Sequence, residues 1–411
     1  MSKILIIPSW YPRPDDRING SFFQEQARLV SDQFEVKVLF FRFSGRPSIR
    51  SFATSPLKTA RAWLRFLFQH RSRTKLPEYE VFTNPPLIEY SASSLGFTAH
   101  RRYNKHVDSY IQALSELIKT GWKPDLIHAH SVNLGGLAAH RIKEVYGIPY
   151  VITEHIPFAL SNFPEFMRDD IKAAFSKADK VLSLGGDMVR QLGMSDINIE
   201  PNLVYNFVDE NFFQRLCQPY QPGMPLLLVS IGAASHYKDH RTLLRAIKRL
   251  KDRGIPFKLT LIGLKVWGSL YDETLGYIRE NGLIDDVTIV DKTDRYGVSQ
   301  KLPSNQIFVM TSIFETFCVS MIEAMACGLA VVTTNHGGGA VDLVTNDVGA
   351  VVPVRNDEKI AETLERIYEG DLHFDPRAIR EHVISICGTQ AFGNRLTAFY
   401  EAAMNAPHDC A

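Results

Sequence analysis

Two glutamates, Glu315 and Glu323, lie eight positions apart in the otherwise apolar segment ETFCVSMIEAMACG, residues 315–328. One interpretation of the first is a helix capping box, in which Ser312 is the N-cap residue and Glu315 reaches back to its amide. That interpretation leaves Glu323 unexplained, because an unpaired carboxylate inside an apolar helix is costly. A carboxylate at that position could instead accept hydrogen bonds from the two vicinal hydroxyls of a ribose.

The start of the same helix offers further binding groups. Glu315 could hold sugar hydroxyls, and the backbone amides of Phe317, Cys318 and Val319 would face an anion at the helix N-terminus. A ribose, a sugar and a phosphate group are the three parts of a nucleotide sugar. The segment therefore predicts a binding site for that class of ligand, with the capping box as the structural alternative for Glu315.

Short apolar runs that alternate with helical patterns must position this site. The candidate strands are 3–8, 34–40, 125–130, 150–155 and 180–184 in the first half, and 226–232, 257–263, 287–291, 307–312, 330–334 and 350–354 in the second. Such runs are typical of strands buried on both faces of a parallel sheet. They predict an α/β protein with two doubly wound, Rossmann-like domains that face a cleft. Because ligands bind outside the carboxyl ends of such strands, the residues just after each strand are the candidates for function.

Composition limits the class of protein. The chain has 411 residues, enough for two domains, and its 45% hydrophobic and 22% charged residues are typical of a globular protein. A net charge of +1 argues against a nucleic-acid partner for the molecule as a whole. The five cysteines show no C-x-x-C spacing, and no apolar run is long enough for a signal peptide or a membrane span. We expect a cytoplasmic protein.

Further motifs occur in a fixed order along the chain. They are SWYP with NGSFFQEQA, then PDLIHAH, PYVITEH, YNFVDENFF, IGAASHYKDHRTLLRAI with its Gly-x5-Lys, the Glu-x7-Glu segment that leads into EAMACGLAVVTT, and GGGAVDLVTNDVGAVVPV. In order and spacing this set resembles the signature of the retaining GT-B fold glycosyltransferases of family 4, over nearly the whole chain. The resemblance implies an acceptor-binding domain at 1–205, a donor-binding domain at 206–385 and a C-terminal helix at 386–411 that returns to the first domain.

The resemblance also implies a role for individual residues. Gly20 would allow the backbone to approach the donor diphosphate, and Lys238 would neutralise the diphosphate as it leaves. Glu323 would bind the nucleotide ribose and Glu315 the donor sugar, while His155 would contact the transferred sugar. The remaining donor-binding positions are those that follow Glu315 and begin the helix, namely Thr316, Phe317, Cys318 and Val319.

The chain departs from the family pattern next to the phosphate element. The arginine that usually follows its glycine is replaced by Ala233, so one cation on the diphosphate is missing unless His236 or Arg241 substitutes for it. His128 and His130 have the spacing of a metal pair, but no third ligand is evident, and we expect no metal and no other cofactor. Nothing beside Cys318 supplies the base that a cysteine nucleophile requires.

The predicted activity is transfer of a hexose from a UDP- or GDP-linked donor to a saccharide, with the leaving phosphate helping to take the acceptor proton. The identity of the donor nucleotide stays open. Its base is expected to contact backbone groups near 290–296, and such backbone contacts leave little trace in the sequence. Two alternatives remain open as well. One is a sugar-nucleotide 2-epimerase of the same fold, and the other is a non-catalytic protein that binds sugar nucleotides.

A basic segment suggests where the acceptor is located. Residues 36–77 hold ten lysines and arginines and no acidic residue, and within them LKTARAWLRFLFQHRSRTK, residues 57–75, has an amphipathic helical pattern. Such a helix can lie on an anionic bilayer, whereas the ordinary alternative is a helix that packs on the first sheet. We therefore expect a peripheral enzyme on the inner face of the cell membrane that extends a lipid-linked saccharide, as in surface polysaccharide or glycolipid synthesis.

Overall fold

The computed structural model describes residues 1–12, 20–44, 60–61, 87–93, 99–155, 158–194, 197, 199–265, 270–290 and 293–406. The chain divides into two compact units. Unit 1 comprises Met1–Leu182, Leu192–Asn202 and Thr397–Ala411, and unit 2 comprises Ser183–Gln191 and Leu203–Leu396. The predicted α/β class with two doubly wound sheets is confirmed.

The first sheet has seven strands in the order β3-β2-β1-β4-β5-β6-β7. They are β1 Lys3–Ile7, β2 Glu35–Ser44, β3 Leu87–Ser93, β4 Leu126–His130, β5 Tyr150–Glu154, β6 Lys180–Ser183 and β7 Asn202–Leu203. The first five strands in this order, β3, β2, β1, β4 and β5, run parallel to one another. Every residue of β4 and β5 is buried. The helices of this part are α1 Ser21–Ser31, α2 Ala99–Lys119, α3 Leu137–Tyr146, α4 Glu165–Ser176 and α5 Gly186–Gly193, with a π-helical turn at Val132–Gly136 and a 3-10 turn at Leu160–Asn162.

The second sheet has six parallel strands in the order β10-β9-β8-β11-β12-β13. They are β8 Leu226–Ile231, β9 Phe257–Ile262, β10 Val287–Val290, β11 Ile307–Met310, β12 Ala330–Thr334 and β13 Gly349–Val352. The helices are α6 His240–Asp252, α7 Tyr271–Glu280, α8 Arg295–Lys301, α9 Val319–Ala326, α10 Asp357–Glu369, α11 Pro376–Cys387 and α12 Thr389–Met404, with 3-10 turns at Leu302–Ser304 and Gly339–Leu343.

Each sheet reverses its winding direction once. The chain builds outward from β1 to β3 and then returns to place β4 on the other side of β1; likewise β11 is placed on the other side of β8. In such sheets the loops at the carboxyl ends of the two strands beside the reversal form the ligand site. In unit 2 these are the loops that follow β8 and β11.

The candidate strands of both halves are confirmed, whereas β3 and the short β7 were not predicted from the sequence. The segment Ser183–Gln191 groups with unit 2, although the sequence places it well inside the N-terminal domain. Helix α12 belongs to unit 2 through Leu396 and to unit 1 from Thr397. The basic segment 57–75 lies outside the described residues except for Ala60 and Arg61. Among the described helices, none has both the length and the apolar character that a membrane span requires.

Candidate functional site

An ion pair joins the two loops beside the reversal point of the second sheet. Lys238 follows β8 and Glu315 follows β11, and the distance from Lys238 Nζ to Glu315 Oε1 is 2.6 Å. Burial by itself lowers the pKa of Lys238, but the adjacent Glu315 carboxylate outweighs it, so the pKa is raised. The lysine is therefore a permanent cation at the carboxyl edge of the sheet.

The backbone around Lys238 is fixed by β11. The hydroxyl of Thr311 donates to the carbonyl oxygens of Lys238 and Asp239, at 3.1 and 3.0 Å. Asp239 has a left-handed φ of 44° and its carboxylate caps helix α6 by accepting from the amide of Thr242. A Cβ at Gly232 would lie 2.9 Å from Lys238 Cε, so the glycine leaves room for the lysine side chain beside this turn.

The capping-box interpretation of Glu315 is wrong. Ser312 Oγ does donate to Glu315 Oε1, at 2.6 Å, but both residues lie in a loop, and the helix begins only at Val319. Cys318 is its N-cap residue, with a left-handed φ of 84° that ends the loop and starts the helix. Glu315 is thus free of a helix-capping role and stands at the sheet edge beside Lys238.

The rest of the loop is held by the 3-10 turn Gly339–Leu343. Gly339 donates its amide to the carbonyl of Thr316 at 3.1 Å, and Ala340 donates to the carbonyl of Phe317 at 3.0 Å. These contacts fix the approach to helix α9, in which the amides of Val319 and Ser320 precede the first i→i−4 bond and the Met321 amide donates to the Cys318 carbonyl at 3.2 Å. Burial, reinforced by the Glu315 charge, raises the pKa of the Cys318 thiol to about 11, which agrees with the expectation that this cysteine is not a nucleophile.

Glu323 is not an unpaired carboxylate. Arg295 donates from Nε to Glu323 Oε1 at 3.0 Å, and the guanidinium also lies over the rings of Phe212 and Phe213, 5.5 and 5.1 Å from their centroids. Arg295 begins helix α8 and lies within the segment 290–296 that was expected to contact the base, of which residues 291 and 292 lie outside the described part of the chain. Sequence reasoning missed Arg295, because nothing in the local pattern shows that α8 and α9 bring these side chains together.

A second residue missed from sequence is His336, which follows β12. Its Nδ1 accepts the amide hydrogen of Gly338 at 3.0 Å, and its carbonyl accepts the amide of Glu315 at 3.4 Å. The ring is 2% exposed, and burial lowers its pKa to about 4. The sequence does carry a signal for His336, because it closely follows a buried strand, as Glu315 and His155 do. The rule that functional residues follow such strands therefore also covers the HGGGAV segment.

Arg241 does not join Lys238. Its guanidinium pairs with Glu273 at 2.6 Å, and both side chains line a cavity of about 220 Å³ together with His236. Lys238 does not line this cavity. Arg241 is therefore paired with Glu273, and whether it substitutes for the cation missing at Ala233 stays a prediction.

In unit 1, Gly20 precedes helix α1 with a left-handed φ of 81°. A Cβ at this position would lie 2.9 Å from the carbonyl oxygen of Trp10 and from Cα of Tyr11. The local fold therefore already requires glycine here, independently of any ligand.

His155 lies at the carboxyl end of β5 and is part of a buried hydrogen-bonded pair. Its Nε2 is 2.9 Å from Nδ1 of His130, so one of the two nitrogens donates and the other accepts. Its backbone amide donates to Glu154 Oε1 at 2.9 Å, and the ring of Phe23 packs edge-on against it. Burial, with the neighbouring His128, lowers the pKa of His155 to about 3, so the ring is neutral near pH 7.

His128 uses both ring nitrogens within unit 1. Nδ1 is 2.6 Å from the hydroxyl of Tyr400 on helix α12, and Nε2 is 2.7 Å from the hydroxyl of Thr153. These two bonds leave no ring nitrogen of His128 for a metal beside His130. Across the described residues, no group of three histidine, cysteine, aspartate or glutamate side chains is arranged to hold a metal ion.

Two protein families match the chain in succession. The model described as "Glycosyltransferase Family 4" matches residues 26–212, and the model described as "Glycosyl transferases group 1" matches residues 218–382. The first match lies mainly in unit 1 and the second lies within unit 2. The predicted family is confirmed.

Known relatives include other glycosyltransferases. The N-acetylgalactosamine-N,N'-diacetylbacillosaminyl-diphospho-undecaprenol 4-alpha-N-acetylgalactosaminyltransferase of Campylobacter jejuni is 32% identical over 208 residues, which are 49% of this chain and 54% of that protein. A putative colanic acid biosynthesis glycosyltransferase of Salmonella typhimurium is 26% identical over 44% of this chain and 46% of its own length. The chain thus spans about half the length of these relatives.

Solved structures resemble the chain over nearly its full length. Sucrose-phosphate synthase from Thermosynechococcus elongatus has a TM-score of 0.71 at 16% identity and covers 99% of this chain and 100% of its own. Anabaena HepE in complex with UDP and glucose has a TM-score of 0.66 at 16% identity, with 98% and 100% covered. At these identities the likeness shows the fold alone. With both family models matched and the two doubly wound sheets observed, the chain belongs to the GT-B fold glycosyltransferases of family 4, group 1.

Proposed function

We propose that this glycosyltransferase transfers a hexose, with retention of its anomeric configuration, from a UDP- or GDP-linked donor to a lipid-linked saccharide. The observation that carries the proposal is the ion pair between Lys238 and Glu315 at the reversal point of the second sheet. It places a cation suited to a diphosphate 2.6 Å from a carboxylate suited to sugar hydroxyls. A nucleotide sugar has these two groups side by side, at the bond that breaks.

Lys238 supplies the electrostatic part of the reaction. Its raised pKa keeps it charged, and its segment is fixed by the Thr311 hydroxyl before any donor binds. Such a preorganised cation stabilises negative charge that develops on the leaving diphosphate without reorganising during the reaction. The first-turn amides of α9, after Thr316, Phe317 and Cys318, would add to the same stabilisation.

The two glutamates bind the neutral parts of the donor. Glu315 would accept hydrogen bonds from the transferred sugar, and Glu323 from the ribose. Arg295 supports the second assignment because it fixes the Glu323 carboxylate from one side at 3.0 Å. Gly20 stays a proposed contact of the diphosphate, although its own backbone already explains the glycine.

His155 contributes a hydrogen bond to the transferred sugar. Because burial keeps its pKa near 3, it is neutral and cannot serve as a general acid at neutral pH. It is therefore proposed to orient the sugar, with His130 holding the other side of the ring at 2.9 Å.

The chemical step takes place on one face of the sugar. The bond from the anomeric carbon to the phosphate oxygen breaks, a bond to the acceptor hydroxyl oxygen forms, and the acceptor proton passes to the leaving phosphate. The protein contributes position and charge through Lys238. This scheme requires no metal, so activity should be unchanged after dialysis against EDTA, and a loss that Mg²⁺ or Mn²⁺ restores would contradict it.

The lipid-linked acceptor is supported by the basic segment and by the Campylobacter relative, whose name includes a diphospho-undecaprenol acceptor. We propose a cytoplasmic enzyme bound to the inner face of the membrane through residues 57–75. Sedimentation with liposomes tests this, since binding should require anionic lipid and weaken with salt. Replacing Arg61, Arg65 and Arg71 by glutamate should abolish it, and equal sedimentation with neutral vesicles would refute the proposal.

The donor and the reaction are tested together. A thermal-shift screen with UDP-, GDP- and ADP-linked sugars identifies the donor from the increase in unfolding temperature. Nucleotide release is then measured with and without an undecaprenyl-diphosphate-linked saccharide. Release that depends on the acceptor, with an α-linked product from an α-linked donor, supports the proposal. Release without acceptor and epimerised sugar would indicate the 2-epimerase, and tight donor binding without turnover would indicate a binding protein.

A further inference from the structure

The protonation of His336 is fixed by its neighbours. Its Nδ1 accepts the Gly338 amide hydrogen at 3.0 Å, and a ring nitrogen that accepts a hydrogen bond carries no proton. The proton of the neutral ring is therefore on Nε2, which makes that atom a hydrogen-bond donor. Lys238 and Glu315 are the charged groups that act on this ring; burial and the Lys238 charge both lower its pKa and together outweigh the Glu315 carboxylate, so the ring is neutral near pH 7.

The Nε2–H group has no acceptor among the described residues, although the ring is only 2% exposed. Buried donors are satisfied in the large majority of cases, so an unsatisfied one requires an explanation. The position of this donor is not a matter of chance packing. A Cβ at Gly338 would lie 2.8 Å from Glu315 Cβ and 2.9 Å from His336 Nδ1, so glycine at this position lets both side chains approach the same stretch of backbone.

Glu315 has a complementary atom. The ion pair from Lys238 and the hydrogen bond from Ser312 both reach Oε1, which leaves Oε2 as an acceptor. The site thus combines a donor that cannot accept with an acceptor that cannot donate. A hydroxyl group both donates and accepts, so a hydroxyl that reaches both atoms would satisfy the two at once. A phosphate oxygen only accepts, and the Glu315 carboxylate repels it.

We propose that His336 is a specificity-determining residue whose Nε2–H donates to a hydroxyl of the transferred sugar, the same hydroxyl that donates to Glu315. This inference rests on the proposed function, because it requires a nucleotide sugar at this site. It predicts that the enzyme distinguishes sugars by the orientation of that hydroxyl, because the wrong epimer leaves the buried donor unsatisfied.

Binding measured by calorimetry tests the assignment, with UDP and UDP-glucose as one pair of probes and GDP and GDP-mannose as the other. In His336→Ala the Kd of the sugar nucleotide should rise about tenfold, whereas that of the free nucleotide should change less than about twofold. His336→Gln places an amide donor near the position of Nε2 and should recover most of the affinity, but His336→Asn, whose shorter amide corresponds to Nδ1, should not. His373→Ala, in an exposed loop, is the matched control.

The outcomes separate this inference from the proposed function. If wild-type protein binds none of the four probes, the proposed function itself fails. If it binds them and His336→Ala weakens the free nucleotide equally, the contact is to the diphosphate and the inference is overturned. Unchanged affinity for the sugar nucleotide would make His336 a structural residue only. Should His336→Ala fail to fold, ¹⁵N NMR of the wild-type histidines decides: the Nε2–H resonance of His336 should shift with UDP-glucose and not with UDP, or with GDP-mannose and not with GDP.

Discussion

Replacing Lys238 by methionine keeps the length of the side chain and removes its charge. The Lys238 and Glu315 side chains are 23% and 15% exposed, so their pair is intermediate between a surface pair, worth about 0–1 kcal/mol, and a buried pair, whose disruption costs about 3–5 kcal/mol. We expect Lys238→Met to lower the free energy of unfolding by about 2 kcal/mol. For a unit of this size that corresponds to roughly 4–8 °C in Tm.

The catalytic effect should be larger. Loss of one preorganised charge removes about 2–4 kcal/mol of transition-state stabilisation, which lowers kcat/KM roughly 30- to 1,000-fold. Transfer from the identified donor is followed in a steady-state assay, below the melting temperature of the variant. The double variant Lys238→Met with Glu315→Gln removes the uncompensated carboxylate and should regain stability without regaining activity. Lys359→Met, whose lysine is 57% exposed in a surface pair, is the control and should change kcat/KM less than twofold.

Two results would refute this reasoning. One is an unchanged kcat/KM in Lys238→Met, which would remove the cation from the mechanism. The other is full recovery of activity in the double variant, which would show that the single replacement acts through folding alone.

Three further outcomes are expected. Arg295→Met leaves the nearly buried Glu323 carboxylate without its guanidinium and should destabilise the protein by about 2 kcal/mol in chemical denaturation, with recovery in the double variant with Glu323→Gln. Cys318→Ala should keep kcat within a few-fold, because a thiol with its pKa raised to about 11 is only ~0.1% thiolate at pH 8; abolished transfer would contradict this. Acid should destabilise unit 1 through its buried histidines. The pKa of His155 is lowered from about 6.5 to about 3, so as pH falls the unfolded chain takes up the proton before the folded protein does. The contribution of neutral His155 to the free energy of unfolding is therefore complete above pH 6.5, and it declines by about 1.4 kcal/mol per pH unit as pH falls toward 3. His155→Gln should reduce the slope of the unfolding free energy against pH between pH 6.5 and 3. An unchanged slope would refute the claim that protonation of His155 causes this loss of stability.

The sequence alone determined most of the strands. Buried parallel strands such as β11 and β12 are continuous apolar runs, and that pattern is local, so it can be recognised without knowing the fold. Because ligands bind at the carboxyl ends of such strands, the same pattern indicated the loops that hold Lys238, Glu315 and His155, and the resemblance to family 4 implied a role for each of these residues. Strand β3 was missed because LIEYSAS mixes polar and apolar residues.

Local pattern also failed at the start of α9. Ser312 and Glu315 have the spacing of a capping box, but they are joined side chain to side chain instead of side chain to backbone amide, and the helix starts only at Val319. The left-handed backbone of Cys318 decides this, and a left-handed cysteine is not suggested by its residue type. The amides of Gly339 and Ala340, from a distant turn, hold the loop in that conformation.

Only the tertiary structure decided which residues meet. Lys238 and Glu315 pair because β8 and β11 are neighbours at the reversal of the sheet, a strand order that separate apolar runs do not encode. Arg295 reaches Glu323 through the packing of two helices, and the Gly338 amide sets the proton of His336. Each of these contacts depends on distance and direction between segments far apart in the chain. Residue type and spacing determine what a side chain can do, and the packing of the sheet determines which partner it meets.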